Sequence, residues 1–129
     1  MTAPRTSATE RGNRAEDAVA SYLVQHGYTL LGRNVRVGKL EVDIVARKGD
    51  VVCICEVRLR RASAYATPFA SLDARKQERL LRAAEALWSQ SLRDLPGEPR
   101  LRIDVAGVTE SPAGLRVDYI EGALTGEGS

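Results

Sequence analysis

Near the middle of the chain two apolar, β-branched runs flank a short polar turn. The first is Leu40-Glu41-Val42-Asp43-Ile44-Val45-Ala46, the turn Arg47-Lys48-Gly49-Asp50, and the second Val51-Val52-Cys53-Ile54-Cys55-Glu56-Val57-Arg58. Runs of this kind around a glycine predict a β-hairpin. Upstream, Tyr28 to Val37 reads as a further strand with Gly32 as a bulge, turning at Gly38-Lys39, so that three strands form a meander. Before it, Ala15, Ala18, Val19, Tyr22 and Leu23 recur at helical spacing and predict an amphipathic helix from about Asn13 to His26, ended by Gly27. After it, Leu80, Ala83, Ala84, Leu87 and Trp88 predict a second helix from about Leu72 to Ser91, capped by Ser71 or Asp73. Leu101 to Val108 is an apolar strand containing Asp104, and Leu115 to Ile120 alternates as a final edge strand. The order α-β-β-β-α-β-β predicts an α/β fold: a mixed five-stranded sheet with helices packed on it. The helical crossover between the third and fourth strands permits a parallel pairing there.

Length and composition fit one globular domain, expected over residues 12–121 with residues 1–11 and 122–129 as flexible tails. No apolar run approaches the ~20 residues of a membrane span and Met1-Thr2-Ala3-Pro4-Arg5 opens no secretory segment, so the expected setting is the cytoplasm with no membrane partner. Cys53 and Cys55 lie two apart on one strand, badly placed to bridge each other. They read as small core residues rather than redox or metal groups.

Charge is distributed unevenly. Residues 30–82 hold twelve Lys and Arg against six Asp and Glu, a balance of +6, whereas the rest of the chain sums to −4. A basic middle surrounding acids suits a polyanion such as nucleic acid, although Arg is also simply this chain's commonest charged residue. On the hairpin, Glu41 and Asp43 share one face of the first strand, and Glu56 and Arg58 share one face of the second. A two-residue turn at Lys48-Gly49 sets Glu41 opposite Glu56. One at Gly49-Asp50 sets Asp43 opposite Glu56 instead. A three-residue loop separates the acids unless a bulge restores the phase; either two-residue turn crowds carboxylates among apolar residues, which is destabilising unless a hard divalent cation or cross-strand ion pairs with Arg58 and other basic groups offset it.

Three further features bear on that cluster. Glu16 sits at the edge of the first helix's apolar stripe and faces the sheet, or else is a first-turn acid favoured by the helix dipole. The second helix's stripe, carried back one turn, passes through Lys76 and close to Gln77 while Arg75 points away; Lys76 either snorkels to water or reaches the acids. Residues 59–70, with Arg60, Arg61, Tyr65 and Phe69, form an expected surface loop that contacts a phosphate backbone, stacks on a base, or anchors itself to the core.

An acid on the first helix (Glu16), an Asp on the second strand (Asp43) and Glu-x-Lys on the third, here Glu56-Val57-Arg58, resemble the restriction-endonuclease-like PD-(D/E)xK nuclease core. Together with Asn13-Arg14-Ala15-Glu16-Asp17, Gly27-Tyr28, Arg33-Asn34-Val35-Arg36, Glu41-Val42-Asp43-Ile44 and Arg75-Lys76-Gln77, they resemble the small bacterial YraN-type family of predicted endonucleases, distant relatives of archaeal Holliday-junction resolvases. That resemblance implies metal-assisted phosphodiester hydrolysis of branched or duplex DNA, DNA rather than RNA. It implies Mg²⁺ or Mn²⁺ held by Asp43, Glu56 and the Val57 carbonyl, with Glu16 completing the shell directly or through water. Asp43, Glu56, Arg58 and Lys76 are then the expected catalytic set. The expected nucleic-acid contacts are Arg33, Arg36, Lys39 and Arg60, followed by Arg61, Arg75, Lys76 and Gln77. Paired cutting of a junction implies a homodimer. The family's Glu-x-Lys is Glu-x-Arg here, and a guanidinium is a poor proton acceptor, so a binding module that has lost cleavage is the alternative.

Overall fold

The computed structural model describes residues 8–60 and 72–124. Its elements are α1 (Ala8–Gln25), β1 (Thr29–Val37), β2 (Leu40–Lys48), β3 (Val51–Arg60), α2 (Ala74–Gln90), a 3₁₀ turn at Leu92–Asp94, β4 (Arg100–Ser111) and β5 (Gly114–Leu124). The strands form one sheet in sequence order, antiparallel throughout except for β3 and β4, which the α2 crossover makes parallel. This is the expected mixed five-stranded α/β architecture.

Each helix covers one face. Val19 and Leu23 of α1 pack with Ile44, Ala46, Cys53, Cys55, Ala106 and Val108. Leu80, Ala84 and Leu87 of α2 pack with Val42, Val45, Val52, Ile54, Ile103 and Val105. Burying one such side chain stabilises by roughly 1.5–3 kcal/mol, so these two stripes fix where the helices lie. The cysteines are both free, both fully buried and both core; burial pushes the Cys53 thiol up to about 11 and raises Cys55 as well. No helix among the described residues is long and apolar enough to cross a membrane.

Several boundaries move. α1 starts at Ala8, so residues 8–11, expected in the tail, are helical. It stops where Gly27, at φ 88°, lets the Tyr28 N–H reach the Leu23 carbonyl and the Gly27 N–H reach that of Val24, the paired bonds of a Schellman end. α2 starts two residues later than expected, because the Asp73 side chain accepts from the Lys76 backbone N–H at 2.9 Å and so fixes the cap. β3 runs on to Arg60, placing Leu59 and Arg60 on a strand rather than in the loop, and β5 continues to Leu124, placing 122–124 in the sheet rather than the tail. Segments 1–7, 61–71 and 125–129, with Arg61, Tyr65 and Phe69, lie outside the described residues.

The β2–β3 turn is Gly49-Asp50, between paired Lys48 and Val51, and Gly49 takes φ 59°. A positive φ at the first central position is what a two-residue hairpin turn led by Gly provides. The ladder then runs to Ile44↔Cys55, and the next position sets Asp43 against Glu56. On the other side of β2, the bulge at Gly32 appears as a register shift between Leu30 and Gly32.

Candidate active site

At Asp43 the sheet loses its regularity. Val42 and Ile44 are both fully buried, yet Val42 packs under α2 and Ile44 under α1, whereas residues two apart on a regular strand share a face. The β2–β3 ladder stops at this step, and the Val57 N–H donates to the Asp43 carboxylate (Oδ2, 2.8 Å). Across the gap the Asp43 and Glu56 carboxyls share a hydrogen bond. The break opens to both faces. A cavity of about 180 Å³ on the α2 side is lined by Leu40, Glu41, Glu56, Arg58, Lys76, Arg79 and Leu80. A smaller one of about 110 Å³ on the α1 side is lined by Gly12, Ala15, Glu16, Asp43, Val57 and Leu59.

Electrostatics follow from the crowding. Burial, and then the Asp43 charge beside it, push Glu56 up to about 8, against the opposing pull of Arg58. Burial also raises Asp43, with the Val57 N–H acting the other way. Glu16 is raised by burial and by the Asp43 charge, and its Oε1 is buried without a hydrogen bond. Two carboxyls that share a proton need either that proton or a cation between them.

A carboxyl whose folded pKa lies above its ordinary 4.5 binds a proton that the unfolded chain has released, so its contribution to stability is full below pH ~4.5 and is lost as pH rises towards ~8. In chelator, chemical denaturation should show a decline on the order of 2 kcal/mol between pH 5 and 8.5, which Glu56→Gln flattens. An equal decline in that variant would show that Glu56 carries none of it.

The expected nucleic-acid contacts have varied placements. Arg33 pairs with Asp17 (2.8 Å) and lies 3.7 Å from Glu16. Arg36, largely exposed, pairs with Glu41 at 3.6 Å, and Lys39 is exposed in the β1–β2 turn. Arg60 is pulled into the sheet by Asp118 on β5 at 2.6 Å, its side chain only 11% exposed. Arg75 is exposed, and the Gln77 amide donates to the Leu72 carbonyl at the start of α2. Lys76 is exposed on the rim of the larger cavity, not buried against the sheet, though its charge still reaches Glu56. Arg79, one helical turn on, joins it there. Arg79 is not among the contacts expected from the sequence, although the spacing Lys76, Arg79, Leu80 carries the signal.

Residues 15–108 match the uncharacterised protein family UPF0102. The chain belongs to family UPF0102. This is the YraN family that the ordered motifs resemble. A UPF0102 protein of Sorangium cellulosum is 46% identical over 114 residues, 88% of this chain and 79% of that one. One from Bacteroides thetaiotaomicron is 36% identical over 115 residues, 89% of this chain and 92% of its own. Among solved structures, a repair endonuclease from Pyrococcus abyssi aligns with 86% of this chain at a TM-score of 0.44 and 13% identity. Pyrococcus furiosus SfsA in complex with Ca²⁺ aligns with 86% at 0.42 and 14%. The chain spans 41% and 62% of those two longer chains.

Proposed function

We propose that this UPF0102 protein is a divalent-cation-dependent endonuclease acting on branched or duplex DNA, with Asp43 and Glu56 at its centre. The observation that carries the reading is the meeting of those two carboxyls at a break in the sheet, beside a cavity walled by Arg58, Lys76 and Arg79. Among the described residues no three His, Cys, Asp or Glu side chains converge as a ready-made metal cage. Two carboxylates with substrate oxygens are nevertheless a usual way to hold Mg²⁺, and the buried Oε1 of Glu16, which has no hydrogen bond and lies 3.7 Å from the Arg33 guanidinium, is a further oxygen on the α1 side. The donor set fits Mg²⁺ or Mn²⁺ on those terms, with Asp43, Glu56 and the Val57 carbonyl as ligands and Glu16 joining directly or through water.

When bound, such a cation supplies polarisation of the scissile phosphate and acidification of the attacking water. The protein's own groups do the rest. Arg58, its Nη1 3.9 Å from Glu56 Oε1, balances charge that develops on the phosphate but holds its proton permanently. Lys76 lines the same cavity and places a second, compact positive charge beside the acids. Lys76 and Arg79 hold the phosphate backbone against the acids, and cutting two strands of a junction in register uses a homodimer. The Arg at position 58 favours the second reading, a DNA- or RNA-binding module with weak or no cleavage.

Purified protein with labelled four-way junction, flap, duplex and single-stranded substrates should cut a duplex-containing substrate in Mg²⁺ or Mn²⁺ and stop in chelator. Binding without cutting selects the second reading. Affinity should fall with salt at about 0.9 logarithmic units per phosphate neutralised; no retention of any nucleic acid at low salt overturns both.

A further inference from the structure

Asn34 is held at φ 51°, in the left-handed region. The other positive-φ positions among the described residues, Gly27, Gly38, Gly49, Gly97, Gly114 and Gly122, are all glycine. A side chain with a Cβ in that region costs about 1–2 kcal/mol, with Asn the best tolerated. If β1 needed only the bend, glycine would serve it better. A side chain retained at such a cost points to use of the side chain.

The surroundings say what that use is. The pairs Arg33↔Ile44 and Val35↔Val42 set Asn34 directly across from Asp43. Consecutive residues on a regular strand point to opposite faces, yet Arg33 and Asn34 both reach the same helix. Arg33 pairs with Asp17 and approaches Glu16, and the Asn34 side chain also acts on the Glu16 carboxyl, favouring its charged form. The kink makes this double reach possible. Its neighbours fit tightly around it: a Cβ on Gly32 would lie 2.8 Å from Cγ2 of Val35. Asn34 in β1 and Asp43 in β2 therefore share one local distortion, and Glu16 is the acid that comes down onto it.

We propose that Asn34 is a positioning residue whose left-handed backbone and side-chain amide together hold Glu16 against Asp43 on the α1 side of the carboxyl pair. The inference rests on the divalent-cation reading above and adds to it. The three acids are no ready-made cage, so whether Glu16 takes part depends on what orients it.

The test uses Asn34→Gly, which keeps the φ angle accessible and removes only the amide. Thermal denaturation in chelator should leave its Tm within a few degrees of wild type. Calorimetric titration with Mn²⁺ should show affinity weakened by about 10–100-fold, the size typical of a lost outer-shell partner. Glu16→Gln alone should weaken Mn²⁺ binding comparably, and should cost little more when added to Asn34→Gly, because both changes remove the same contribution. Mn²⁺ affinity in Asn34→Gly equal to that of a wild type that does bind overturns this inference and leaves the divalent-cation reading standing. A purely conformational role for Asn34 gives that result, with a raised Tm as glycine relieves the strain. Wild-type protein that binds no Mn²⁺ overturns the parent reading and this inference with it.

Discussion

Asp43→Asn is expected to lower divalent-cation-dependent cleavage by roughly 10³-fold or more while leaving the cation-free protein as stable as wild type, or more so. The two effects separate because the carboxylate has two relationships. The Val57 N–H needs only an acceptor at Oδ2, and an amide oxygen supplies one. Glu56 loses a like charge beside it, which removes part of what pushes it up to about 8. The proposed cation, by contrast, would lose one of the two carboxylates assigned to hold it. Polarisation by a bound cation contributes several kcal/mol to the transition state, and each tenfold in rate corresponds to about 1.4 kcal/mol. Side-by-side melting curves in chelator, Mn²⁺ titrations and cleavage rates check all three signs. A variant that melts early and cuts poorly would indicate a folding role. Unaltered cleavage would remove Asp43 from the centre.

The sheet and both helices were legible because the apolar periods are regular where packing is regular. Both two-residue hairpin registers were open in the sequence; Gly49 at the first central position selects the one whose ladder ends at Ile44↔Cys55 and so leaves Asp43 next to Glu56 just beyond it. The break at Asp43 was not legible. Val42 and Ile44 are both apolar and two apart, so they read as one face, and nothing in their identity signals that the strand rolls over between them. Lys76 shows the same limit from the helix side. Its spacing from Leu80 correctly aims it towards the sheet, but beneath the first turn of α2 lies a cavity instead of packed side chains, so the lysine stays exposed on the rim. Candidate acids announce themselves by being acids in apolar company; the gap that brings them together coincides with a left-handed backbone at Asn34 across β1, and Asn is a residue type compatible with many conformations.

Asp104 is the opposite case, an acid in apolar company whose role is structural, and its loss should be the most destabilising change in the protein. It is fully buried on β4 and accepts bonds from Arg102 through both Nε (2.8 Å) and Nη2 (2.9 Å), from the Tyr119 hydroxyl, and from the Gly122 N–H at 2.9 Å. Arg102 in turn donates to the Tyr28 hydroxyl at 2.6 Å. The cluster thus ties β5 and the end of α1 to β4, through partners 74 and 15 residues apart in sequence, which no local pattern could pair. Asp104→Ala leaves a phenol and a backbone N–H without their acceptor and Arg102 with only Tyr28 and the more distant Glu121 (3.7 Å), and breaking one side of a buried pair costs about 3–5 kcal/mol. For a chain of this size that corresponds to a Tm lower by about 10–20 °C. Tyr119→Phe removes a single donor and should cost about 1 kcal/mol. Denaturant titrations of both variants settle the ordering: equal small losses would mean that the network contributes little beyond its individual bonds. Cleavage per folded molecule should remain at the wild-type level in Tyr119→Phe, because the cluster lies outside both cavities that flank Asp43 and Glu56.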